Sequence, residues 1–157
     1  VAQKMEQLTK KEAHEALLIA IDYKINTLEG LLQNAINAVA DDTKSTAGDK
    51  HETSRAMAQI EQEKLAKQLS EAQNLKALVR KILQEQQTSK VIGVGSFLQI
   101  NKDYFLLSVP FGKFEVAGKH VFALSPVSPI GQVLIGKKSG DTISFKGEQQ
   151  KVLLIEI

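Results

Sequence analysis

A chain of 157 residues with 43% hydrophobic content and a formal net charge of +2 has room for one medium domain or two small ones. Up to residue 86, twelve Lys and Arg stand against thirteen Asp and Glu, and beyond it eight stand against five, a balance too mild for a nucleic-acid-binding surface. Zero cysteines exclude disulfides and thiolate metal sites, and His14, His51 and His120 are too scattered to suggest a zinc cluster.

No apolar run approaches the roughly 18 to 20 residues that a membrane span needs. The stretch Val1-Ala2-Gln3-Lys4-Met5-Glu6-Gln7 is too polar for a signal peptide. A soluble, cytoplasmic protein without membrane partners is the expectation.

From about Thr9 to Ala40 there is no proline and a single glycine, Gly30. Leu17, Ile21, Ile25, Leu28, Leu32, Ala35 and Val39 recur at steps of three and four, which lays one apolar stripe along a helix. From about Asp49 to Gln86 a second, more polar stripe follows, through Ala58, Leu65, Leu69, Ala72, Val79 and Ile82. At 1.5 Å per residue each helix is about 45 to 55 Å long. Two such helices joined through Asp41 to Gly48 are expected to bury their stripes against each other as an antiparallel, coiled-coil-like hairpin.

After Gln84-Glu85-Gln86-Gln87-Thr88-Ser89-Lys90 the composition turns from Ala, Lys, Gln and Glu to Val, Ile, Phe and Gly, which places a domain boundary there: 1–87 helical, 91–157 β-rich. Val91 to Val94, Ser96 to Ile100, Tyr104 to Val109, Lys113 to Val116, His120 to Leu124, Asp141 to Phe145 and Lys151 to Ile157 read as short strands. Turn signals at Asn101-Lys102-Asp103, Ala117-Gly118-Lys119 and Lys146-Gly147-Glu148 separate them. Ser128-Pro129 supplies a cap and a first-turn proline, and Gly136 a stop, so Pro129 to Ile135 is expected to form a two-turn helix. The fold class is α+β.

Two glycine patterns in this half carry little weight. Gly131 to Lys137 matches a phosphate loop except that Lys138 replaces the magnesium-binding Ser or Thr, and its middle is an apolar, capped helix. Gly93-Val94-Gly95 lacks the third glycine and the following helix of a dinucleotide fingerprint. Turn and bulge roles are expected for these glycines.

The best chemical signal is Gly48-Asp49-Lys50-His51-Glu52, between the two helical patterns. Asp49 three residues before Glu52 has the spacing of a capping box, and acids belong at a helix N-terminus. The same spacing puts two carboxylates on one face, an oxygen-rich end suited to magnesium. Asp41 and Asp42 add two acids across the loop. The cap and the ligand readings are compatible.

These residues resemble a family, the bacterial Gre-type transcript cleavage factors that bind RNA polymerase. The resemblance rests on the hairpin, the tip pattern Gly-Asp-x-x-Glu at Gly48 to Glu52, and the stretch Ser128-Pro129-Ile130-Gly131-Gln132-Val133-Leu134-Ile135-Gly136-Lys137-Lys138-Ser139-Gly140-Asp141. It implies an FKBP-like C-terminal domain docking on the rim of the polymerase secondary channel, with Lys137 and Lys138 near that contact. It also implies a hairpin that enters the channel toward the RNA 3′ end, with DNA met only through that complex. Asp49 and Glu52 would then share a transient Mg²⁺ with the polymerase and orient a water that cleaves backtracked RNA, with no cofactor held stably. The chain would be an accessory factor rather than an enzyme in its own right.

The family commonly continues Gly-Asp-x-x-Glu-Asn-x-x-Tyr, whereas Thr53 and Ala56 stand here. That keeps open a second reading, a channel-binding regulator that does not stimulate cleavage. A remote third is prolyl isomerisation by the β-rich half, which would need Phe97, Tyr104, Phe105, Phe111, Phe114 and Phe122 to line a pocket rather than fill a core.

Overall fold

A computed structural model of the chain describes residues 8–42, 48–85 and 90–156, with the side chains of residues 41, 42, 48–51, 145 and 154–156 outside that description. The first half forms the two expected long helices, α1 (Lys10–Asp42) and α2 (Gly48–Gln84). At the start of α1 the Glu12 backbone N–H donates to Thr9 Oγ1 at 3.1 Å, with Thr9 and Glu12 at the spacing of a capping box.

Leu17, Ile21, Ile25 and Leu28 are buried on α1, and Leu65, Ala72 and Val79 on α2. The α2 set steps by seven, the repeat that holds one line of side chains toward a partner helix. Toward the tip the stripe continues half-buried through Leu32, Ala35, Val39 and Ala58. A cross-link joins the two helices where the Gln62 side-chain amide donates to the Ala35 carbonyl at 3.3 Å.

Contacts divide the chain into two compact units, one of Ile21–Asn74 and one of Val1–Ala20 with Leu75–Ile157. The change of composition near residue 90 thus falls inside the second unit, which takes in the bases of both helices. The reason is visible in α1: His14 and Leu17 continue the stripe to the base fully buried, and Ala13, buried beside them, widens it. The approach is close at Gly95, where an added Cβ would lie 3.1 Å from Ile82 Cγ2 and 3.3 Å from Lys10 Cε.

In the first of these units, Gly30 lies mid-helix with open space where a Cβ would go. Alanine there relieves the backbone freedom that glycine loses on folding without meeting a neighbour. Gly30→Ala is therefore expected to raise stability by about 0.5–1 kcal/mol, read as a higher midpoint in urea at unchanged m-value.

The second half folds as β1 (Phe97–Ile100), β2 (Asp103–Leu107), β3 (Gly112–Val116), β4 (Lys119–Leu124), α3 (Pro129–Leu134), β5 (Thr142–Phe145) and β6 (Glu148–Glu156). The sheet order is β3-β4-β2-β1-β6-β5. β2 and β4 run parallel, and every other neighbouring pair is antiparallel. Two hairpins close through Ala117-Gly118 and Lys146-Gly147, with both central residues at positive φ (49° and 78°, 52° and 78°), the left-handed turn that matches strand twist. β6 is longer than its apolar run: its polar start pairs with β5, and its apolar end pairs with β1 across a bulge.

One face of the sheet buries Leu98, Ile100, Phe105, Leu107, Ile143 and Val152 together with Ile92 and Leu134, and Phe122, Leu124 and Ile130 pack against them. Phe97, Leu106, Val121 and Ala123 alternate with these to the other face and are buried as well. Both faces are therefore covered, which is why the strands read as continuous apolar runs.

The run Val91 to Val94, expected as a strand, is not one. Its backbone is satisfied elsewhere: the Ile92 N–H donates to the Lys137 carbonyl and the Gly136 N–H to the Ile92 carbonyl, both at 2.8 Å. Gly95 follows at φ 93°. Its N–H donates to the Leu107 carbonyl at 2.6 Å, and the Leu107 N–H donates to Ser96 O at 2.9 Å. Two residues thus face one, the bulge role expected for this glycine. The α+β layout stands as read from the sequence.

Candidate functional site at the helical tip

α1 ends at Asp42 and α2 begins at Gly48. Asp41 and Asp42 thus lie in the last turn of α1 and Asp49 in the first turn of α2, with the side chains of all three, and that of His51, outside the described residues. Glu52 is within them and is exposed. Because Gly48 is already helical, Asp49 stands inside the helix rather than at the cap position that its spacing suggested, and the position before Gly48 lies outside the described residues.

Helical backbone from Gly48 onward sets Asp49 and Glu52 three residues apart, within one turn. Acids in the first turn of a helix suit the positive end of its dipole. The other two acids run against that logic. Asp41 and Asp42 occupy the C-terminal end of α1, where the dipole is negative and no basic residue stands in the last turn. The tip thus concentrates carboxylates that helix stability alone does not call for on the α1 side.

Two carboxylates supply hard oxygen donors of the kind magnesium takes, but fewer than its octahedral shell needs, so they fit a metal completed by water and by another macromolecule's ligands. Among the described residues no group of three or more His, Cys, Asp or Glu is placed to hold a metal ion. His120 lies on β4 and His14 on α1, as their separation in sequence implied.

The second motif, Ser128 to Asp141, is built around α3. Ser128 adopts an extended backbone (φ −65°, ψ 157°) at the cap of α3. Its Oγ accepts the Gly131 N–H at 3.1 Å and donates to the Ser125 carbonyl at 2.6 Å. Gly136 at φ 82° stops the helix. The Lys138 N–H then donates to Asp141 Oδ2 at 2.8 Å, and the Val152 N–H donates to the Asp141 carbonyl at 2.9 Å, tying the motif to β6. Ser128→Ala is expected to cost about 1 kcal/mol, the worth of a lost cap, as a lower denaturation midpoint.

These bonds also dispose of the phosphate-loop pattern. The Gly131, Gln132 and Gly136 N–H groups, which would have to cradle an anion, bond to Ser128 Oγ, Ser128 O and Ile92 O. Lys137 is half-buried and Lys138 exposed. Beside them the structure adds what sequence reasoning did not single out: Val127, Val133 and Ile135 are exposed at 77%, 41% and 45%. The signal for Val133 was available in a short helix that buries Gly131 and Leu134 and so turns the two residues between them, Gln132 and Val133, outward.

Most phenylalanines of the β-rich half serve the core. Phe97, Phe105 and Phe114 are buried, and Phe105 stacks on Phe122 with centroids 5.5 Å apart. An open groove of about 400 Å³ beside β6 is lined by Asn101, Glu148, Gln150, Lys151 and Leu153, without an aromatic ring. Among the described residues no helix is long and apolar enough to cross a membrane. No protein-family model, curated protein or solved structure matches the chain.

Proposed function

We propose that the chain is a Gre-type transcription elongation factor. In this reading it docks on bacterial RNA polymerase through the part around α3, an FKBP-like domain, and sends the helical tip into the secondary channel to stimulate cleavage of backtracked RNA. The observation that carries the proposal is the pair Asp49 and Glu52 on continuous helical backbone at the start of α2, with Glu52 exposed. The α3 motif and the exposed Val127, Val133 and Ile135 beside it support the docking half.

In phosphodiester hydrolysis a second magnesium stabilises charge on the attacking or leaving oxygen. The chain's own contribution would be to carry two carboxylates on a helical support and to position the attacking water or accept its proton. The polymerase supplies the remaining ligands, so the chain turns over no substrate alone. Asp141, bonded to the Lys138 amide, belongs to the fold and not to this chemistry.

One observation favours a second reading, a channel-binding regulator without cleavage stimulation. Asp41 and Asp42 close α1 against its dipole, and Thr53 and Ala56 follow the dyad where an amide and an aromatic ring would brace it. Backtracked elongation complexes separate the two. With the wild-type chain added at fixed Mg²⁺, RNA shortening from the 3′ end is expected to accelerate, and Asp49→Asn or Glu52→Gln to remove most of that gain. Binding with slowed elongation and no shortening would establish the second reading.

A further inference from the structure

His14 belongs to no part of the tip or of the α3 motif, yet it is fully buried near the base of α1. Its Nδ1 lies 2.9 Å from the Lys10 carbonyl, one turn back. An acceptor there requires Nδ1 to carry the proton, which leaves Nε2 as the bare nitrogen. Nε2 is buried and has no hydrogen-bond partner among the described residues. A leucine at this position would satisfy the stripe better, so the ring places an unused basic nitrogen inside an apolar joint.

Among the described residues, the charges around it offer nothing to hold a second proton. On α1 itself Lys10 repels it, and Glu12 and Glu15, two residues before and one after it, are exposed. On the last turns of α2, Arg80, Lys81 and Glu85 are exposed and Lys76 is half-buried. The stretch Ile92 to Ser96 and the sheet residues Phe97, Leu106, Val121 and Ala123 bring no ionisable group.

We propose that His14 is an acid-sensitive latch: a proton on Nε2 loosens the base of α1 from the compact unit it shares with the sheet. With the base closed, burial holds the imidazole below its ordinary 6.5, against the pull of the Lys10 carbonyl and with the help of the Lys10 charge. With the base open, the ring meets water and titrates normally. Above 6.5 both forms are neutral and the latch stays shut. As pH falls from 6.5 toward the lowered value, the open form takes up the proton first. Opening then becomes up to about tenfold more frequent per pH unit.

Hydrogen exchange of the full chain at pH 7.5 and 5.5, corrected for intrinsic rates, reads this directly. Protection of the amides of residues 13–20 is expected to drop several-fold to tenfold in the wild type while β3 and β4 hold, and to stay constant in His14→Leu. The NMR titration of the His14 ring in the wild type, which needs no variant to fold, is expected to have its midpoint below 6.5. A midpoint at or above 6.5 overturns the latch, as does an equal pH response in His14→Leu or an equal loss of protection across the sheet.

Discussion

Replacing Gly131 with valine is expected to cost about 3 kcal/mol or more, a sum of overpacking and a broken cap. Gly131 is the third residue of α3 and is buried. A Cβ there would stand against the Ser125 carbonyl oxygen, and at 2.9 Å from both the Pro126 carbonyl and Ser128 Oγ. None of the three can swing aside. Two are backbone, and Ser128 Oγ is fixed between the Ser125 carbonyl and the Gly131 N–H. Accommodating a branched side chain means moving the turn from Ser125 to Ser128, which carries Ile130 and Leu134 away from the core they help to fill. Gly136→Ala is the matched control, because its cost is confined to backbone strain at φ 82° with nothing within 4 Å of the new methyl. That strain is about 1–2 kcal/mol. Urea denaturation is expected to rank Gly131→Val well below Gly136→Ala, and equal midpoints would mean that the α3 turn is looser than its bonds imply.

The same contrast explains what sequence reasoning recovered and what it missed. Periodicity sums over many residues, so the two long helices and their apolar stripes emerged to within a few residues. Local chemistry was equally readable where one residue settles one bond: Ser128 before Pro129, Ala117-Gly118, Lys146-Gly147. Val91 to Val94 misled because β-branched composition reports a fit to extended, half-buried backbone, whereas the partners that fix this stretch, Gly136 and Lys137, are over forty residues away. His14, seven residues before Ile21 on the stripe's own line, was passed over because it is polar, and Ala13 was invisible for a related reason. A helix that touches two neighbours buries a broader arc than its strongest hydrophobes mark, and the second neighbour is not in the local sequence. The tip fell between these cases: its acids were singled out by spacing, but the start of α2 at Gly48 converts the supposed cap residue into a first-turn residue.

The double variant Asp49→Asn with Glu52→Gln carries the other large expectation, a loss of stimulated RNA cleavage on the order of 10²-fold with polymerase binding nearly unchanged. Amides preserve volume and helical geometry while removing the negative oxygens. The loss should therefore track the weakened metal: losing even an outer-shell partner of a metal ligand typically costs about 10- to 100-fold, and losing one group that stabilises transition-state charge about 10²- to 10³-fold. A purely structural tip predicts something different. Both acids lie near the positive end of the α2 dipole, so their removal would fray the first turn slightly, a change that raised Mg²⁺ cannot repair. If the carboxylates act through the metal, raising Mg²⁺ should recover part of the rate in each single variant and less in the double. Asp41→Asn with Asp42→Asn completes the comparison. These residues oppose the α1 dipole, so their neutralisation should leave the helix no weaker and leave cleavage intact if only the α2 pair serves the metal. If instead the α1 acids form a plug, the same substitution should relieve inhibition of elongation while the α2 pair proves silent.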